Sequence, residues 1–149
     1  MALERQSYVT EVAAAAADCF AVITDFAAYP TWSGAVRRTQ VHERYPDGLP
    51  KRVEMELDIK IRRIRYTLEY DYTPPNHLTW RLVDGDLKAV EGSYDFAEVA
   101  PGRTAVTCTQ GVDVGFWIPG FLRNIFEQQA LRDSVEEFKR AVETRRARA

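Results

Sequence analysis

From Arg52 to Ile61 every second residue is apolar: Val53, Met55, Leu57, Ile59 and Ile61 alternate with Glu54, Glu56, Asp58 and Lys60. After Arg62-Arg63 the alternation restarts, with Ile64, Tyr66, Leu68, Tyr70 and Tyr72 set against Arg65, Thr67, Glu69 and Asp71. A period of two gives a sheet one dry face and one wet face. Two such runs joined by a very short turn predict an antiparallel hairpin. Similar runs follow. His77 to Val83 places Leu78, Trp80 and Leu82 on one side, and Lys88 to Glu98 does the same with Val90, Gly92, Tyr94 and Phe96. Arg103 to Val114 adds Val106, Cys108, Val112 and Val114, with Gln110 on the same apolar side. Pro46-Asp47-Gly48, Pro74-Pro75-Asn76, Asp84-Gly85-Asp86 and Pro101-Gly102 are the turns between runs.

Upstream, Ser7 to Val12 reads as a first strand and Val36 to Tyr45 as a more polar one. Between them the alanine-rich stretch Ala13 to Thr24 predicts a helix with Phe20 and Ile23 on its apolar side. Pro30 stops or kinks any helix there, so a second short helix or turn carries Tyr29 and Trp32. Near the end, Leu131, Val135, Phe138 and Val142 share one stripe of a long helix. Phe121, Leu122, Ile125 and Phe126 fall off that stripe, and its upstream extension meets Asn124 and Gln128. Either the helix is kinked or starts late, or its first turns line a partly polar cavity mouth. The order is strand, two helices, six strands, long helix. This predicts an α+β fold: a curved antiparallel sheet of about seven strands, covered on its dry face by the C-terminal helix.

At 149 residues the chain fits one domain, 1–149, long enough to bury a real core. Apolar content of 46%, charged content of 28% and a formal charge of -2 are ordinary for a globular protein and give no reason to expect nucleic acid. The short basic tail Arg145, Arg146, Arg148 suits a solvated helix end. Cys19 and Cys108 are far apart and sit in apolar patterns, as buried thiols do in a reducing cytoplasm. His42 and His77 stand alone, so no metal-binding spacing exists and no cofactor is implied. The start shows no signal segment. The apolar-rich stretch Val112 to Leu122 is too short and too broken by Gly and Pro to span a bilayer, and a cytoplasmic location is expected.

Three stretches carry a resemblance: Val22-Ile23-Thr24-Asp25-Phe26-Ala27-Ala28-Tyr29-Pro30-Thr31-Trp32, Gly92-Ser93-Tyr94-Asp95-Phe96 and Ile118-Pro119-Gly120-Phe121-Leu122. With the element order, they make the chain resemble the START-like helix-grip superfamily (SRPBCC). The branch it resembles is that of polyketide cyclases/dehydrases and lipid transport, which includes coenzyme Q-binding proteins. The resemblance implies a sheet wrapped around a long helix with a hydrophobic pocket between them. It does not by itself imply catalysis.

The candidate pocket residues follow. Tyr66, Tyr70, Tyr72, Trp80, Tyr94 and Phe96 share the concave side and would give apolar walls with several phenolic hydroxyls, or simply fill the space under the helix. Asn124 and Gln128 would add amides at the mouth. Gly92 interrupts its strand and reads as the bend that lets the sheet curl. Phe116-Trp117-Ile118-Pro119-Gly120-Phe121-Leu122 places much apolar surface in a connection, which then packs into the core, closes a pocket or touches a membrane. In the resembled fold Tyr29 and Trp32 lie near it, so the connection with Trp117 and Phe121 is the candidate entrance. Acid–base candidates are His42, His77, Asp25, Glu91, Arg38 and the tyrosines, but no arrangement singles out a catalytic residue.

The leading reading is therefore a non-enzymatic carrier for a hydrophobic small molecule such as a lipid, isoprenoid quinone or polyketide, with transient membrane contact as a further expectation and the question of catalysis left open by the residues. Burying such a ligand supplies on the order of 5–10 kcal/mol before binding costs. The alternatives are an aromatase-type polyketide cyclase or dehydratase using the same pocket, and an interaction domain with a filled core. The ligand and the oligomeric state are not encoded in any pattern of the chain.

Overall fold

The computed structural model describes residues 3–59, 62–124 and 128–148, the side chains of 124 and 146–148 excepted. Lys60, Ile61, Ile125, Phe126 and the side chains of Asn124, Arg146 and Arg148 therefore lie outside the described residues. The seven strands are β1 (Gln6–Val12), β2 (Val36–Arg44), β3 (Pro50–Asp58), β4 (Arg63–Thr73), β5 (His77–Gly85), β6 (Ala89–Ala100) and β7 (Arg103–Asp113). Helix α1 (Ala16–Ile23), a 3-10 turn (Phe26–Ala28) and α2 (Tyr29–Trp32) follow β1; α3 (Gly120–Asn124) and α4 (Ala130–Arg148) follow β7. The expected α+β order is the observed one.

The strands form one antiparallel sheet in the order β1-β7-β6-β5-β4-β3-β2. Six strands meander because each connection is hairpin-sized. Gly48 turns the chain between β2 and β3 at φ 93, where a Cβ would be strained, and the Asp47 carboxylate accepts the Leu49 N–H at 2.9 Å. The first strand then closes the far edge by pairing with β7, Tyr8 opposite Cys108 and Val12 opposite Thr104.

The wet side of the alternating runs carries cross-strand ion pairs. Glu69 is held between Arg52 (3.1 Å) and Arg81, and Glu54 between His42 (2.8 Å) and Arg65 (3.5 Å). The hydrogen bond from Arg52 holds the Glu69 carboxyl below its ordinary range, more than burial raises it. The dry side faces α4, whose Leu131, Val135, Phe138 and Val142 are 4%, 0%, 0% and 1% exposed. The stripe read from the sequence is thus the inner face of the helix. Just ahead of Ala130, residues 128 and 129 are wound as a π turn, which shifts the phase of the stripe from the residues upstream.

Three glutamates on the flanks of α4 fasten it to its surroundings. Tyr8 donates to Glu136 Oε2 at 3.0 Å, the Gly34 N–H to Glu137 Oε2 at 2.8 Å, and the Ala13 N–H to Glu143 Oε2 at 2.9 Å. A fourth carboxylate, Glu98 on β6, accepts the Ala16 N–H at 3.0 Å and so satisfies a free donor at the start of α1, which has no side-chain cap of its own.

Candidate site between sheet and helix

The concave interior is built by the inward-facing side chains of β3 to β7 and the inner face of α4. Along those strands the inward positions are mostly apolar, the polar ones including the phenols, Trp80, Glu98, Thr104, Cys108 and Gln110. A row across the middle of the sheet is its least ordinary part. Trp80 lies opposite Gly92, and Gly92 opposite Gln110. A Cβ on residue 92 would fall 2.3 Å from the Trp80 ring, so the glycine makes room for the indole to lie across the sheet. The indole Nε1 then donates to Gln110 Oε1 at 3.2 Å, which explains how an amide is tolerated on the apolar side.

Burial pushes the phenols of Tyr29, Tyr66, Tyr70, Tyr72 and Tyr94 above their ordinary range, so all are neutral donors near neutral pH. They differ in what they donate to. Tyr29 gives its hydrogen to the Ile23 carbonyl (2.5 Å) and Tyr72 to the Pro50 carbonyl (2.6 Å), so both hydroxyls serve the frame. Tyr94 lies across from Cys108 on β7, and burial raises that thiol to about 12. Among the described residues the hydroxyls of Tyr66 and Tyr70 have no hydrogen-bond partner. A third unpartnered donor is Trp32 Nε1, sealed from solvent while its ring packs on Tyr29 (4.7 Å) and Phe138 (6.2 Å). Sequence reasoning named all three residues without separating them from Tyr29 and Tyr94.

The two ends of the interior are packed differently. At the end of the β2–β3, β4–β5 and β6–β7 turns, Phe26, Phe96, Phe138, Val106 and Val142 are at most 1% exposed. Phe96 stacks between Tyr94 (5.6 Å) and Phe138 (5.9 Å). At the other end Leu57, Ile59, Leu82, Val112, Val114 and Phe116 are only half-buried. There the connection after β7 meets the β3–β4 turn: Arg62 sits over the Phe116 ring at 4.5 Å and Ile118 is buried, while Trp117 and Phe121 are 83% and 79% exposed.

Other candidates lie elsewhere. Gln128 is exposed and lines an open groove of about 570 Å³ with Gln6, Ser7, Tyr8 and Arg132. A second groove, about 580 Å³, runs between Asp25, Thr31 and Trp32 on one side and Glu137 and Arg140 of α4 on the other. His42 pairs with Glu54, and His77 with Asp95 at 2.6 Å, both on the outer face. Among the described residues no group of side chains is arranged to hold a metal ion, and no helix is long and apolar enough to cross a membrane.

A seven-stranded antiparallel sheet gripping a C-terminal helix defines the helix-grip, START-like class. Within it, residues 12–139 match the family model described as polyketide cyclase / dehydrase and lipid transport, and the chain belongs to that family. Three solved structures share the fold. A START superfamily protein from Mycobacterium smegmatis is 24% identical, with 95% of each chain covered and a TM-score of 0.79. The Zhui aromatase/cyclase from Streptomyces sp. R1128 is 17% identical, with 97% of this chain and 96% of that one covered and a TM-score of 0.80. A protein from Thermus thermophilus is 18% identical, with 95% and 96% covered and a TM-score of 0.77. Comparison with curated proteins gave no significant match.

Proposed function

We propose that this chain binds a hydrophobic small molecule bearing oxygen acceptors, held between the sheet and α4 and admitted at the half-buried end. The observation that carries this reading is Trp32 Nε1, a buried donor without a partner, together with the Tyr66 and Tyr70 phenols on the inner face of β4, whose hydroxyls are bonded to no described protein group. An unsatisfied buried donor costs about 1–3 kcal/mol, which a carbonyl, quinone or hydroxyl oxygen of a ligand would recover. Neutral phenols favour such oxygens without demanding a charged ligand.

Polyketide cyclisation is the second reading, favoured by the same phenols as neutral acids able to hydrogen-bond an enolising carbonyl. Glu98 is a carboxylate at an inward position of β6, and it is engaged by the Ala16 N–H at the start of α1 and lies away from Tyr66 and Tyr70, so carriage is the better-supported of the two.

Native mass spectrometry of the purified protein, with organic extraction, tests the proposal. An oxygenated lipid, quinone or polyketide should co-purify. The Tyr66→Phe/Tyr70→Phe variant should bind it about tenfold more weakly, with unchanged melting temperature. Affinity unaffected by removing both hydroxyls would refute their role. A double variant that kept its KM for a polyketone substrate but lost kcat would favour the cyclase.

A further inference from the structure

Trp117 and Phe121 are the two most exposed aromatic residues described, and they sit four positions apart on one protrusion. The protrusion is anchored from below. Ile118 is buried, Phe116 is clamped under Arg62, and the Leu122 N–H donates to the Pro119 carbonyl at 2.9 Å, closing the turn that starts α3. The exposed rings are therefore held outward by a built support.

Two arginines flank the rings. Segment 114–124 carries Arg123 and no acid, Arg62 lies across the adjoining turn, and Lys88 packs against Gly115. Several of the carboxylates on this side have contacts of their own. Asp113 is 3.9 Å from Lys88 and accepts the Gly115 N–H, Asp86 accepts the Arg65 N–H, and Asp58 is 3.8 Å from Arg37.

We propose that this protrusion docks the chain onto an anionic lipid surface, with Trp117 and Phe121 inserted at the headgroup boundary and Arg62 and Arg123 facing acidic headgroups. Tryptophan beside arginine is the chemistry of a membrane interface, where an amphipathic ring and a cation are both satisfied. Area argues against a protein partner. Two aromatic side chains offer roughly 300–500 Å², whereas a stable protein interface buries at least about 1,000 Å². Shallow insertion aided by charge needs no more than two rings and is reversible. The inference rests on the exposed segment and not on what fills the interior, so it stands or falls apart from the ligand.

Flotation of the purified protein with phosphatidylcholine vesicles, with and without phosphatidylglycerol, is the test. The protein should float with the mixed vesicles and much less with phosphatidylcholine alone. Brominated lipid should quench a fraction of its tryptophan emission that disappears in Trp117→Phe. Trp117→Ala/Phe121→Ala should lower partitioning by about tenfold or more at unchanged melting temperature, and Arg123→Gln by about fivefold, an effect that added salt erases. Three results would overturn the proposal: no flotation, flotation that ignores the double substitution, or a dimer in light scattering that the double substitution abolishes.

Discussion

The two ends of the interior are lined by the same strands, yet one is closed and the other is loose. Around Phe96 and Phe138 aromatic rings stack at 5.3 to 5.9 Å and side chains are sealed. Around Leu57, Leu82, Val112 and Phe116 comparable residues keep part of their surface in water. Dense packing at one end fixes the helix against the sheet, and the other end is then free to depart from it. The proposed binding would then fall on the half that packing leaves looser.

The comparison can be broken first at its closed end. Phe138→Ala should remove about 3–5 kcal/mol of stability in a denaturant titration, because a ring packed by Trp32, Tyr94 and Phe96 leaves a cavity its neighbours cannot fill. A loss well below that would mean the closed end is as loose as the open one. Gly92→Ala, at the boundary between the halves, should cost about 1–3 kcal/mol and shift tryptophan emission, since the new methyl displaces the Trp80 indole. Unchanged emission would show that the backbone, not the indole, sets that position.

Alkaline titration sharpens the contrast next. Burial pushes the Cys19 and Cys108 thiols from 9.0 to about 12. The unfolded chain releases these protons first, so the stability present below pH 9 declines as the pH rises towards 12. Thiol reagents at pH 8 should leave both cysteines unmodified until the protein is denatured. Prompt labelling of Cys108 would place solvent deep inside the closed half. The smallest effect is expected at the open end. Trp117→Ala should change stability by no more than about 0.5 kcal/mol, while altering ligand exchange measured by stopped-flow fluorescence; a large drop in melting temperature would assign Trp117 to the core instead.

Most of the fold was legible because its signals are local. The alternation in β3 and β4, the turns at Gly48 and Asn76, and the stripe from Leu131 to Val142 each declare themselves within a dozen residues. The site was legible only as a list of residue types. Whether a tyrosine hydroxyl faces a ligand or a backbone carbonyl depends on contacts such as Tyr72 to Pro50, which no periodicity encodes. Gly92 showed a gap but not its occupant, which is an indole from the neighbouring strand. The carboxylates that fasten α1 and α4 act across 82 to 130 residues and look, in sequence, like any solvated glutamate.

Those flank contacts carry a consequence for engineering. Glu136, Glu137 and Glu143 hold α4 by its edges, through a phenol and two backbone N–H groups, none of which belongs to the lining of the loose end. The helix is held both by these brackets and by the packing of Phe138 and Val142 beneath it. On the proposed reading, capacity becomes an adjustable parameter: trimming Leu82 or Val112 should enlarge the space open to a ligand, and enlarging them should shrink it. A receptor library could be drawn from this one backbone by varying a handful of inward positions while the brackets stay fixed.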